Sequence, residues 1–319
     1  MKNSIALLLI FLLLSCNSKS KTENAIEEIP VSMKAIRFEQ DFFNTKPSDL
    51  GKLKKQYPLF FDQGTPDTYW VEKMQNEQWR ELYSEVEKKY KNFAPQQLEI
   101  ETLFKHIKYY FPQVVVPTIY TVIAQMDQNN KAIYANDKLI IALELYLGKE
   151  HRFYSEFPEY LKVNFDQRQI LPDVVQSFAF GILKPSTSNT LLSQMIYAGK
   201  ELYLKDLLIP DYSDEERIGY SNEQLKFCQE NEQYIWTRFI EDKLLYSSDS
   251  KLANRFINQA PFSKFYLEID NETPGRIGQW TGWQIVRSFA ENNPEVALKD
   301  LLKMDENQLF EKSKYKPKK

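Results

Sequence analysis

The chain has 319 residues, 43% of them hydrophobic and 27% charged, which is enough apolar material for one or two sizeable cores and excludes a disordered or collagen-like chain. Aromatics are abundant (21 Phe, 19 Tyr, 5 Trp), whereas nine glycines amount to about 3% against a usual ~7%; with no G-x-G and no G-x-x-x-x-G-K, Rossmann and P-loop nucleotide sites are excluded. A net charge of −3 supplies no basic field for nucleic acid.

Met1-Lys2-Asn3 gives a positive start, and Ile5 to Leu14 is an apolar run closing in Leu13-Leu14-Ser15-Cys16. The run is too short for a permanent membrane helix, which needs about 20 residues, and fits the core of an export signal. Leu13 and Ser15 before Cys16 resemble the bacterial lipobox. That resemblance implies removal of residues 1–15 as a lipoprotein signal peptide, acylation of Cys16 (palmitate among the chains), and a lipid-anchored, periplasm-facing place in the cell envelope. More than one acyl chain makes such an anchor stable. Residues 16–30 read as the acylated N-terminus and a flexible polar tether. With Cys16 lipidated, Cys228 has no disulfide partner, and beside Leu225 and Phe227 it reads as a small buried hydrophobe.

From Ile36 onward the sequence reads as helices around a small strand-rich middle. Asp67 to Lys91 carries Trp70, Met74, Leu82, Tyr83 and Val86 at roughly helical spacing, and Leu98 to Phe111 continues as a helix that stops at Pro112. Val114 to Val116 and Thr118 to Ile123 are β-branched, Lys131 to Tyr134 is a second strand after the turn at Asp127–Asn130, and Leu139 to Leu147 is a strand running into a helix. Further helices are predicted over Ile170 to Leu183 with Pro172 at its first position, Leu191 to Leu208, and a long Glu223 to Leu245. Ser213-x-x-Glu216 is a capping box, Asp249 caps Ser250 to Gln259, and Gly282 to Asn292 precedes the break at Asn293-Pro294 and a final short helix. The expectation is an α+β, predominantly helical fold with a small sheet at about residues 113–147. It forms a single domain over 31–312, ending in a solvated basic tail at 313–319, and nothing after the signal is apolar for long enough to span a membrane.

Candidate chemistry is sparse. His106 and His151 are the two histidines, far apart and without H-E-x-x-H, C-x-x-C or an EF-hand pattern, so no metal or cofactor is expected. His106 reads as a surface helix residue and His151 as a loop residue. No G-x-S-x-G elbow occurs, and apolar surroundings make Cys228 a poor nucleophile. These absences point away from an enzyme. Gly275 to Trp283 stands out, holding three glycines and two tryptophans, with Arg287 one helical turn on. Arg276, Trp280, Trp283 and Arg287 form either a ligand or partner surface or a glycine-mediated helix contact with Trp in the core; both readings stay open at this point.

Four spaced segments, Leu171-Pro172-Asp173-Val174-Val175-Gln176-Ser177-Phe178, Met195 to Leu204, Ala260 to Phe265 and Gly278 to Arg287, together with the lipobox, resemble the gliding-motility lipoprotein GldB family of Bacteroidota over nearly the whole mature chain. The resemblance implies an envelope lipoprotein required for gliding. It would act without catalysis by binding protein or polymer, among other gliding-machinery envelope proteins tied to type IX secretion. More distantly, the same segments resemble the helical core of zincin-type metallopeptidases. On that alignment the first His falls at Pro172, the base at Asp173, the second His at Gln176, and the later glutamate at Ala198 beside Gly199. Pro172 and Ala198 cannot ligate zinc, and Gln176 is a poor ligand. This implies a zincin-like helical domain that has lost its metal and kept a cleft beside Asp173, Gln176 and Tyr197. The alternative is a peptidase or peptidoglycan hydrolase working from that degenerate cleft, with Asp173 and Gln176 as its candidates.

Overall fold

A computed structural model describes residues 21–186 and 188–318; Cys16 and the signal segment lie outside the described residues. Four short strands, β1 (Ala35–Arg37), β2 (Thr118–Val122), β3 (Ala132–Ala135) and β4 (Lys138–Ala142), form one sheet in the order β1-β2-β4-β3. The first three neighbours run parallel, and β3 folds back antiparallel on β4. Its two-residue turn suits Asn136, which tolerates the positive φ of 54° found there. Alternation buries Ile119 and Thr121 on β2 and Leu139 and Ile141 on β4. Val114 to Val116 stays outside the sheet, and the run after β4 becomes a 3-10 turn at Leu143–Leu145.

The N-terminal helices are α1 (Lys21–Glu27), α2 (Phe38–Asn44), α3 (Leu50–Gln56), α4 (Asp67–Gln75), α5 (Glu77–Tyr90) and α6 (Ala94–Tyr110). Part of the expected tether is therefore ordered: α1 buries Ile26 and packs on α6, where Lys105 Nζ donates to the Glu27 carbonyl at 2.9 Å. The helix expected over 67–91 is two, because Asn76 takes an extended backbone and its Oδ1 accepts from the N–H groups of Gln78 and Trp79, capping α5. After the sheet come α7 (Glu159–Lys162), α8 (Ile170–Ile182), α9 (Leu191–Leu208) and α10 (Asp214–Ile218). Pro172 is the third residue of α8 rather than the first, which costs no hydrogen bond because first-turn N–H groups have no intrahelical acceptor. Ser213 and Glu216 form the expected capping box on α10.

The last group is α11 (Asn222–Glu230), α12 (Glu232–Glu241), α13 (Lys251–Phe256), α14 (Ile277–Asn292), α15 (Leu298–Lys303) and α16 (Glu306–Ser313). The long helix expected over 223–245 breaks at Asn231, whose side chain turns back to donate to the Phe227 carbonyl. In the basic tail Lys314, Lys316 and Lys318 are exposed, while Ser313 is buried, the Tyr315 hydroxyl donates to Glu232 at 2.8 Å, and its ring packs edge-on against Trp236. Cys228 is buried and unpaired, and burial pushes its thiol pKa up, as its apolar neighbours led us to expect.

The helix crossing of α9 and α14 explains where the scarce glycines went. A Cβ placed on Gly282 would stand 1.8 Å from the Met195 carbonyl oxygen, and one on Gly199 would stand 2.3 Å from the Gly282 carbonyl. Two backbones meet there with no room for a side chain. Gly282, read from sequence as a helix start, is thus interior, and Trp280 (2% exposed) and Trp283 (0%) fill the core beside it. The open choice for these two tryptophans closes in favour of packing. Gly282→Ala should therefore cost ~3 kcal/mol or more, or abolish folding, because overpacking here displaces backbone. Gly181→Ala meets no atom within 4 Å of its new Cβ and should stabilise by ~0.5–1 kcal/mol. Chemical denaturation of the two variants reads both signs, and a Gly282→Ala protein as stable as the parent would refute the contact.

Candidate functional site

Helix α8 buries Ile170, Leu171, Val174, Val175, Phe178 and Ala179, so its remaining face, Asp173, Gln176, Ser177 and Phe180, looks outward. Asp173 and Gln176 line a polar cleft of about 340 Å³ whose other walls come from Glu201 and Lys205 on α9, Arg217 on α10, and Arg276 and Gln279 at the start of α14. Past Gln128, Asn129 and Lys131 the cleft continues into a groove of about 490 Å³ between α8 and the edge strand β3, flanked by Ser177 and Phe180. Phe180 is 83% exposed.

The charges in the cleft are mostly paired. Asp173 Oδ2 lies 2.6 Å from Lys131 Nζ and accepts from the Tyr146 hydroxyl at 2.9 Å. Burial and the neighbouring Asp173 carboxylate hold the Tyr146 phenol well above its usual pKa, so it stays protonated and donating. Lys131 also donates to the Asn164 carbonyl at 3.1 Å, and Lys205 sits 3.3 Å from Glu201. A carboxylate so engaged is a fixed acceptor that positions Lys131 against the sheet.

The residues singled out from sequence fall into two groups. Asp173, Gln176 and Arg276 share the cleft. Tyr197, Trp280, Trp283 and Arg287 do not line it; Tyr197 is half-buried on α9, where burial and then Glu201 raise its phenol pKa. Arg287 is part of a clamp rather than a partner surface. Its guanidinium donates to both Asp206 and Asp214 at 2.7 Å and lies 3.7 Å over the Trp283 ring, while Trp283 Nε1 donates to Asp206 at 2.9 Å. Arg217 contacts the same two carboxylates. Burial works against ionised Asp214, but Arg287 and Arg217 outweigh it and hold the carboxyl below its usual pKa.

On the peptidase-like alignment, Pro172 and Ala198 are buried and Gln176 is exposed. Among the described residues, no group of three His, Cys, Asp or Glu converges closely enough to hold a metal ion. His106 is not the surface residue expected from sequence: it is 3% exposed, its Nδ1 lying 3.1 Å from the Leu207 carbonyl and its Nε2 3.6 Å from Glu23. His151 is in a loop as expected, with Nε2 3.4 Å from Glu85.

Sequence reasoning missed Glu144, which shapes the cleft indirectly. It is fully buried after β4, and its Oε1 accepts from the N–H groups of Ala124 and Met126 at 2.9 and 3.4 Å. Those bonds fasten the start of the β2–β3 loop that brings Gln128 and Asn129 to the cleft wall. Burial pushes the Glu144 carboxyl up to about 7, against the pull of these N–H groups and of Lys73. Because the folded value lies above the 4.5 of an unperturbed Glu, its contribution to stability is complete below about pH 4.5 and is lost as pH rises through 7. The loss is on the order of 3 kcal/mol. Glu144→Gln should flatten this limb of the stability–pH curve between pH 4.5 and 7 in denaturant titrations; an unchanged slope would show that Glu144 does not titrate there.

No helix among the described residues is long and apolar enough to cross a membrane. No curated protein and no solved structure matches the chain. A family model described as gliding motility protein GldB does, over residues 19–317, nearly the full length. The chain belongs to the GldB family of gliding motility lipoproteins.

Proposed function

We propose that the protein is an envelope component, anchored by lipid on Cys16, that supports gliding by holding a ligand in the cleft between α8, α9 and α14 without transforming it. On this reading the helical body is a zincin-like scaffold stripped of its metal, and its partners are other envelope proteins of the gliding and type IX secretion machinery. The carrying observation is the cleft itself. It stays open and polar, is walled by α9 and α14 beside their glycine crossing, and presents Gln176 at the position where the peptidase-like alignment would need a histidine.

Gln176 is exposed at the junction of cleft and groove, so a large side chain there obstructs both without touching the core. In cells carrying Gln176→Trp as the sole copy, spreading over surfaces should be lost while the protein accumulates and folds normally by circular dichroism. Wild-type spreading would sink the binding reading. The Asp173 carboxylate keeps a hydrolase as the second reading. Purified protein incubated with peptidoglycan or unfolded protein should give no products, and turnover abolished by Asp173→Asn would establish the hydrolase instead.

A further inference from the structure

Resting on the cleft reading above, we infer that the cleft takes a free peptide carboxylate, with Arg276 as its anchor and the edge of β3 as the track for the chain behind it. The cleft holds two carboxylates, Asp173 and Glu201, and each faces its own lysine, Lys131 and Lys205. Arg217 is committed to Asp206 and Asp214. Arg276 is different. Two of its N–H groups donate to the carbonyls of Ile218 and Gly219 at 2.8 and 3.0 Å, and among the described residues it has no carboxylate partner. A guanidinium carries five N–H donors, so three remain for a ligand in the cleft that it lines. Arg276 also takes a left-handed backbone (φ 62°), which a non-glycine residue adopts at some cost, directly ahead of α14.

The groove points to a peptide as the carrier of that anion. The ligand must present anionic acceptors to Arg276, and a peptide C-terminus does so with its carboxylate. The rest of such a chain has an exit: the residues shared by cleft and groove lead along β3, whose pairing with β4 turns the backbone of Ala132 and Tyr134 away from the sheet. The Tyr134 N–H is already taken by Ser177 Oγ at 2.8 Å, leaving its carbonyl and the Ala132 groups for an extended chain, with Phe180 as an apolar wall.

Calorimetric titration of the full mature protein with N-acetyl-alanyl-alanine and with its C-terminal amide tests this directly. The acid should bind saturably, and amidation should weaken it about tenfold or more, with no variant needed. Arg276→Lys should weaken the acid similarly, in protein shown to be folded. The L,L and D,D forms of the acid separate a protein tail from a cell-wall stem peptide as the source. Equal affinity for acid and amide, or no binding of either acid, overturns the assignment. If neither acid binds while Gln176→Trp still abolishes spreading, the carboxylate assignment alone has failed and the cleft reading stands.

Discussion

The contact between the backbones of Gly199 and Gly282 sets the geometry of everything around it. Because no side chain separates α9 from α14, the two helices approach closely enough for Trp280 and Trp283 to be fully enclosed beside the crossing. The same approach brings Asp206 on α9 within reach of Arg287 and Trp283 on α14, and Asp214 at the start of α10 joins them. One glycine pair thus fixes three helices, and an aromatic ring under a doubly paired guanidinium locks the arrangement.

The cleft inherits its rigidity from this crossing. Its α9 wall, Glu201 and Lys205, begins two residues after Gly199, and its α14 wall, Arg276 and Gln279, ends three residues before Gly282. The opposite wall is softer: a loop held by buried Glu144, and Lys131 held by Asp173 and Tyr146. A preorganised wall facing an adjustable one suits capture of a ligand, since binding loses less when half of the site is already ordered. Pairing of its lysines with its carboxylates leaves Arg276 as the charge with most to gain from an incoming anion.

Much of this was legible in the residues. The bounds of α9 come from Thr190, whose hydroxyl caps the first turn, and Pro210, which cannot continue the helix. The β-branched runs located β2 to β4, whereas β1 escaped because three residues between a loop and a helix carry no period. Two long helical patterns broke at Asn76 and Asn231, where an asparagine side chain competes with the helix for backbone groups. Around Gly282 the apolar pattern runs nearly all round the helix, so sequence could not separate a Trp-bearing surface from a Trp-filled core. The family was visible in four spaced motifs, and Asp173 and Gln176 entered through the resemblance. Lys131, Glu144, Tyr146, Asn164 and Glu201 were silent, since only the folded chain gathers residues so far apart in sequence.

Whether the glycine crossing is the rigid unit on which the cleft stands is read by hydrogen exchange of the native protein, segment by segment. Amides of Leu191–Leu208 and Ile277–Asn292 should exchange slowest, through global unfolding alone, while residues 124–130 exchange by local opening. Exchange in the crossing as fast as in that loop, under conditions where the sheet stays protected, would contradict it.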